Sequence, residues 1–370
     1  MTSSTTNPFN DYVGFRDPED DAYFEEIANQ DDGVTEPQVR KPGGNTDSWR
    51  NAATTGTALE SMNIDQFDWV VDGIIPEGLT ILAAPPKAGK SWFVLDIALA
   101  AASGGVALSG IDMGAPRPVL HLSLEDSFRR LRDRARQIMG DAPLPREWYT
   151  IVDVDPGITV NLIRGFLSDH QGQKPLIIVD VFAKAVASNP DRSEGGYRAD
   201  YSLMRPWKEL CDDHPGAGII LVHHTRKMQA DDYLEMVSGS NGIAGACDTV
   251  LVLNRERQSD SGTLNVTGRD VGECAYMMSS EGGRWCLEGN NLRDAQDAAF
   301  KAKMRAGVSG YGEKIIDALA SAEGPLTPSD IAGLTGLERR AVSTNLGRLK
   351  DKGRVVLLDR GLYQAVGATS

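Results

Sequence analysis

Short apolar blocks alternate with polar stretches through the middle of the chain. Leu79–Ala83, Val119–Leu124, Pro175–Val181, Ala217–His224 and Asp248–Asn254 are compact runs rich in Val, Ile and Leu, a pattern that predicts buried strands. After Ser91, Phe93, Val94, Ile97, Ala98 and Ala101 recur at helical spacing, and Ser127–Met139 puts Leu131 and Ile138 on one side of a second helix. Gly262–Val271 pairs in pattern with Asp248–Asn254 across turn residues, and Arg284–Glu288 predicts a closing strand. Two segments of small and polar residues, Phe182–Tyr201 with Lys184, Arg192 and Arg198, and Met228–Gly245, predict flexible loops on one edge of the sheet. The alternation predicts an α/β domain over residues 61–290.

Beyond it the period changes. Residues 291–310 read as a polar linker with helical tendency. Tyr311–Ala322 then places Ile315, Ile316 and Leu319 on one helical face, Thr327 caps a helix running through Leu334, and Leu337–Lys352 spaces Val342, Leu346 and Leu349 at helical intervals. Gly353 ends that helix, and the following VVLLDRGLYQAV predicts a hairpin turning at Asp359, Arg360 and Gly361. Three helices and a wing over residues 311–370 resemble a winged helix-turn-helix. Arg339, Arg340, Ser343, Thr344 and Arg348 fall off the apolar stripe of its third helix, where a recognition helix carries its DNA contacts. A protein-binding module with an ordinary solvated face is the competing reading.

Composition narrows the class. The 370 residues are 41% hydrophobic and 24% charged, as in soluble globular proteins. No apolar run approaches the roughly 20 residues that span a bilayer, and MTSSTTNPFNDY lacks the basic start and apolar core of a signal peptide, so a cytoplasmic protein without a membrane partner is expected. Cys211, Cys247, Cys274 and Cys286 lack CxxC spacing, which fits free thiols better than a zinc site. The net charge of −14 argues against nucleic acid until its distribution is read: residues 1–60 hold 12 acidic and 4 basic residues, net −8, and residues 301–370 hold 7 and 11, net +4. Nucleic-acid binding needs local basic surface rather than a basic total. The acidic residues 1–60 carry too few aliphatic side chains to offset ordering entropy and are expected to be largely disordered, with a short docking helix near Ala22–Ala28 as the alternative.

The chemistry is concentrated at the ends of the apolar runs. Between the first strand and its helix stands Ala84-Pro85-Pro86-Lys87-Ala88-Gly89-Lys90-Ser91, then Trp92, which fits the phosphate-loop pattern G-x-x-x-x-G-K-[ST] with Ala for the first Gly. Backbone N–H groups and a helix N-terminus converge there on an anion, Lys90 faces the β- and γ-phosphates, and Ser91 is suited to ligate Mg²⁺. Ala84 satisfies the turn if its φ is negative. Glu125, at the end of the second strand, is placed to act as general base, with helix capping alongside Asp126 as the plainer role. Asp180, at the tip of a buried strand, needs a cation, and Mg²⁺ is the expected one. His223 or His224 is suited to sense a γ-phosphate, and Trp69 lies either near a nucleotide base or on the domain edge.

Taken together and in order, APPKAGKS, LSLEDSFRRL, LIIVDV, LVHHTRK, SGSNGIAGACD and GRDV resemble the RepA-like branch of the AAA/RecA superfamily, the ring-forming replicative helicases of plasmids and phages. The resemblance covers about residues 64–290. It implies a RecA-like P-loop NTPase core that hydrolyses ATP with Mg²⁺ between the subunits of a hexameric ring. Lys90 and Ser91 match its phosphate-loop residues, Glu125 its catalytic glutamate, Asp180 its Mg²⁺-organising acid, and His224, with His223 as the other candidate, its γ-phosphate sensor. Arg269 matches the late-strand residue that acts across the subunit interface. The plainer reading pairs Arg269 with Asp270 or Glu273. The two flexible loops, with Arg226 and Lys227 after the fourth strand, correspond to the loops that hold single-stranded DNA, leaving duplex DNA to the winged helix through Arg339, Arg340 and Arg348. A filament-forming recombination ATPase and an ATP-switched DNA-binding regulator are the competing functions.

Overall fold

The computed structural model describes residues 53–62, 67–187, 196–225, 237, 242–255, 259–308, 310–322, 324–358 and 361–366. The expected disorder of the acidic segment, most of the Met228–Gly245 loop, and Arg192, Arg226, Lys227, Asp359 and Arg360 fall outside the described residues. The chain divides into two units, residues 1–65 and 66–370. In the first, helix α1 (Gly56–Ser61) starts where the Thr55 hydroxyl accepts the Ala58 N–H at 3.2 Å, and it buries no residue.

The second unit is built on one sheet. A small antiparallel pair, β1 (Trp69–Val71) and β2 (Ile75–Pro76), leads into β3 (Gly78–Ala84). Helix α2 (Lys90–Ser103) follows the loop, and the short strands β4 (Val106–Ala107) and β5 (Ile111–Asp112) lead to β6 (Val119–Ser123), α3 (Phe128–Met139) and β7 (Trp148–Ile151). Then come α4 (Thr159–Asp169), β8 (Leu176–Asp180), α5 (Phe182–Ala185), α6 (Gly196–Asp212), β9 (Gly218–His224), α7 (Gly242–Ala246) and β10 (Thr249–Arg255). Three antiparallel strands finish the sheet: β11 (Ser261–Gly268), β12 (Cys274–Glu281) and β13 (Arg284–Leu287).

Its order is β13-β12-β11-β10-β3-β9-β8-β6-β7, with β10, β3, β9, β8, β6 and β7 mutually parallel. The period-2 alternation of β3 sends Leu82 and Ala84 into an apolar layer with Phe93, Val94 and Ile97 of α2, and Leu79, Ile81 and Ala83 into a layer with Ile163 of α4 and Met204, Trp207 and Leu210 of α6. Helices thus cover both faces, which is why the central strands read as continuous apolar runs.

Several expectations change. Six strands run parallel rather than five, because β7 is an edge strand whose four residues are only half-buried or exposed and leave no apolar run. β12 was read as part of the approach to a closing strand, yet it forms a full antiparallel strand between β11 and β13. Phe182–Tyr201 is not a single loop: α5 forms a helical turn, and α6 begins at Gly196 because its later residues Met204, Trp207 and Leu210 bury one face.

The stretch expected as a linker contains α8 (Leu292–Arg305), capped by Asn291 and buried at Ala295 and Ala299. After it come α9 (Tyr311–Ala320), α10 (Pro328–Thr335), α11 (Arg339–Asp351) and a two-stranded hairpin, β14 (Val355–Leu358) with β15 (Leu362–Ala365). A capping box between Thr327 and Asp330 starts α10, and Gly336 at φ +68° ends it. Ile315, Ile316, Leu319, Ile331, Val342, Leu346 and Leu349 share one small core. On α11, Arg339, Arg340, Ser343, Thr344 and Arg348 are all exposed, as the stripe predicts.

Candidate functional site

The C-terminal ends of β3, β6, β8 and β9 carry their polar residues to one edge of the sheet, and these line a cavity of about 240 Å³. Its walls include Lys90, Ser91, Glu125, Asp180 and His224, brought together from four separate segments. β3 runs through Ala84, which is fully buried and absent from the positive-φ positions, so Ala replaces the usual glycine without strain. The left-handed conformation falls later in the loop, at Lys87 (φ +68°) and at Gly89 (φ +100°), the residue before α2.

Lys90 is 6% exposed, and its ammonium donates to the Ala84 carbonyl at 2.7 Å and the Pro85 carbonyl at 3.1 Å. Burial lowers its pKa to about 8, with the Asp180 and Glu125 carboxylates opposing the drop. His224 Nδ1 lies 3.0 Å from the same ammonium, and its Nε2 lies 4.0 Å from Glu125 Oε1. An ammonium can only donate, so Nδ1 accepts and the neutral ring carries its proton on Nε2, facing Glu125. Burial and the Lys90 charge both lower the His224 pKa, which keeps the ring in that neutral form. His223 is not among the residues lining the cavity, and strand alternation turns it to the other face of the sheet from His224.

Asp180 is buried, and desolvation raises its pKa to about 6 while a hydrogen bond from Ser91 lowers it. A buried carboxylate beside a hydroxyl is a hard oxygen donor set, and it fits a divalent cation such as Mg²⁺, for which Ser91 and Asp180 would be the protein ligands. Among the described residues no group of three or more His, Cys, Asp and Glu is placed to hold a metal, which leaves this site dependent on further oxygens from phosphate and water. Glu125 is half-exposed at the cavity mouth. Its neighbour Asp126 accepts from Arg130 at 3.1 Å and Arg134 at 2.5 Å, so the capping role at the head of α3 belongs to Asp126 and Ser127 and leaves Glu125 free of it.

Other singled-out residues lie elsewhere. Trp69 sits in β1, at the opposite end of the sheet from the loop, packed on Phe67 with ring centroids 5.1 Å apart; it is a domain-edge aromatic. Arg269 follows β11 at that same far edge, where it donates to Asp248 Oδ1 at 3.3 Å and the Gly245 carbonyl at 3.3 Å rather than to Asp270 or Glu273. Asp248 also accepts the Leu79 N–H at 2.9 Å and Lys208 at 2.9 Å.

Three residues around the cavity had no signal in the sequence. Arg134 lines it and stacks over the Trp92 ring at 5.3 Å, while Gly283 lies against that ring so closely that a Cβ there would come within 2.7 Å. Trp285 is fully buried and donates its indole N–H to the Gly89 carbonyl at 3.1 Å. Arg284 anchors the same turn to α2 through buried Asp96 at 2.9 Å.

A parallel sheet with a phosphate loop after its central strand, a lysine and a hydroxyl at the helix start, and two carboxylates at neighbouring strand ends defines a P-loop ATPase-type site. Residues 51–230 match the family profile described as AAA domain. No curated protein matches the chain. Among solved structures the chain is similar to an ATPase domain solved by itself (12% identity, 57% of this chain and 84% of that one, TM-score 0.45). It is similar also to a DnaB-like replicative helicase studied for its interactions with primase (14% identity, 58% of this chain and 59% of that one, TM-score 0.43). A third is a KaiC-like protein of the archaeon Pyrococcus horikoshii (14% identity, 59% and 93%, TM-score 0.42). Among the described residues no helix is long and apolar enough to cross a membrane.

Proposed function

We propose that the chain is an ATP-hydrolysing, ring-forming DNA translocase of the RepA-like helicase type, acting in phage or plasmid DNA replication. The observation that carries the reading is the convergence of Lys90, Ser91, Glu125, Asp180 and His224 on one cavity at the head of α2. In this reading the Lys90 ammonium holds the β- and γ-phosphates, and the N–H groups of the first turn of α2 complete the cradle. Glu125, exposed at the mouth, takes the proton of the attacking water, and His224 holds Glu125 in register through its Nε2 proton. Mg²⁺ held by Ser91 and Asp180 supplies positive charge against the phosphates.

The assembly is part of the same proposal. Arg269 keeps 57% of its side chain exposed while Asp248 anchors it, which suits a guanidinium offered to a neighbouring subunit. Single-stranded DNA is held by the loops after β8 and β9, the latter bearing Arg226 and Lys227, through phosphate contacts that ignore sequence. The C-terminal helices and hairpin act as a winged helix on duplex DNA through Arg339, Arg340 and Arg348.

Two substitutions test the chemistry. Lys90→Ala should abolish nucleotide binding or turnover, and Glu125→Gln should bind ATP yet hydrolyse it at least about 100-fold more slowly, the range expected for a lost general base. Full ATPase activity in Glu125→Gln would remove that residue from its role. Electron microscopy with a non-hydrolysable ATP analogue and single-stranded DNA tests the ring.

A further inference from the structure

We propose that Trp285 is a positioning residue for the phosphate loop: its indole N–H fixes the Gly89–Lys90 peptide so that the Lys90 main-chain N–H points at the bound phosphate. The inference rests on the nucleotide-binding reading of this site and extends it to a residue far away in sequence.

The geometry begins with the carbonyl. Gly89 O accepts two hydrogen bonds, one from the Phe93 N–H at 3.0 Å that starts the helical ladder of α2, and one from Trp285 Nε1 at 3.1 Å. The peptide unit is planar, with its carbonyl and the following N–H pointing in opposite directions. Holding Gly89 O therefore aims the Lys90 N–H out of the helix start, where an anion is bound by free N–H groups. One helical hydrogen bond at a helix's first turn frays readily, and the second, from a rigid side chain, removes that freedom.

The surroundings are shaped to keep the indole in place. Trp285 is fully buried, and a Cβ at Gly89 would stand 2.9 Å from Nε1, so glycine at this position admits the indole as well as the φ of +100°. A Cβ at Gly262 would stand 3.0 Å from the far end of the same ring, and the Arg255 guanidinium lies 5.6 Å over it. The residue before it, Arg284, is tied to Asp96 within α2 and to the Val106 carbonyl at 3.1 Å. Gln137 of α3 donates to the Gly282 carbonyl in the same turn. The β12–β13 turn is thus clamped to the helix whose first peptide Trp285 orients, and a buried indole that needs a partner finds it in the loop itself.

The test uses the full-length chain, with Mg²⁺-pyrophosphate as the probe for the loop and ATP as the probe for the whole site. Trp285→Phe removes the donor and part of the ring; replacing the Trp285 indole by the isosteric benzothiophene removes the donor alone. Both should bind pyrophosphate and ATP about 5- to 10-fold more weakly, the effect of one hydrogen bond. The same loss should appear as a raised KM for ATP with kcat retained, because the contact is made equally in ground and transition states. A merely structural tryptophan would lower the thermal midpoint and leave the affinity of the benzothiophene variant at the wild-type value, and that result overturns the proposal. Failure of the wild-type chain to bind either probe overturns the nucleotide reading itself, and the role of Trp285 with it.

Discussion

Lys90 carries the sharpest electrostatic conflict in the molecule. Desolvation lowers its pKa to about 8 while Asp180 and Glu125 pull the other way. A polyphosphate favours the ammonium, so the bound state holds a proton that free Lys90 loses above pH 8. The sign is then settled: below pH 8 the lysine is charged in both states and adds no pH dependence, and above it nucleotide affinity falls by up to about tenfold per pH unit. Calorimetry of ADP binding between pH 7 and 9.5 should show weakening affinity and growing proton uptake above pH 8. A flat profile would mean that Lys90 stays protonated in the free protein and that its burial is compensated more fully than the carboxylates nearby suggest.

At the scale of elements, the site is a meeting of strand ends, and each acid owes its position to the strand beneath it. Leu176–Val179 and Val119–Leu122 are fully buried, so Asp180 and Glu125 emerge together at the same level because β6 and β8 pair in parallel register, Ser123 beside Asp180. In the C-terminal module the buried stripe of Val342, Leu346 and Leu349 turns Arg339 and Arg340 outward on α11. If this face meets duplex DNA, Arg339→Ala with Arg340→Ala should weaken binding and lower the slope of log K against log salt by about one unit per lost phosphate contact. Duplex binding unchanged in affinity and slope would assign the module to protein contact, for which exposed Val356, Leu357 and Leu358 on β14 offer an apolar surface.

For the whole molecule the open matter is where one chain's site is completed. Arg269 stands at the edge of the sheet away from its own phosphate loop, since Gly268 pairs with Thr249 and Thr249 with Thr80, near the start of β3. Its own chain therefore gives it no route to the γ-phosphate, and a role in hydrolysis requires a second copy. Mixing makes the requirement visible. A Lys90→Ala subunit still offers Arg269, and an Arg269→Ala subunit still offers a phosphate loop, so mixed assemblies should regain ATPase activity that each variant lacks; a finger of this kind contributes roughly 10³- to 10⁵-fold. No recovery in proven co-assemblies would count against action in trans. Full activity of Arg269→Ala alone would leave the residue as a partner of Asp248, a partly exposed pair with about 1 kcal/mol or less at stake.

The sequence by itself determined the features that are local and repetitive. Apolar runs marked the five central strands, helical spacing marked α2, α3 and the three helices of the C-terminal module, and one contiguous motif marked the loop from Ala84 to Ser91, with Glu125, Asp180 and His224 at the strand ends that follow. Tertiary structure alone decided the rest. The edge strand β7 is too exposed to leave an apolar run, and α6 begins among small polar residues that only later residues bury. The pairing of Arg269 with Asp248 spans 21 residues, and the bond from Trp285 to Gly89 spans 196. Contacts of that separation leave no period in the chain, because nothing about a tryptophan in a terminal strand states which carbonyl its N–H will find until the sheet has brought the two together.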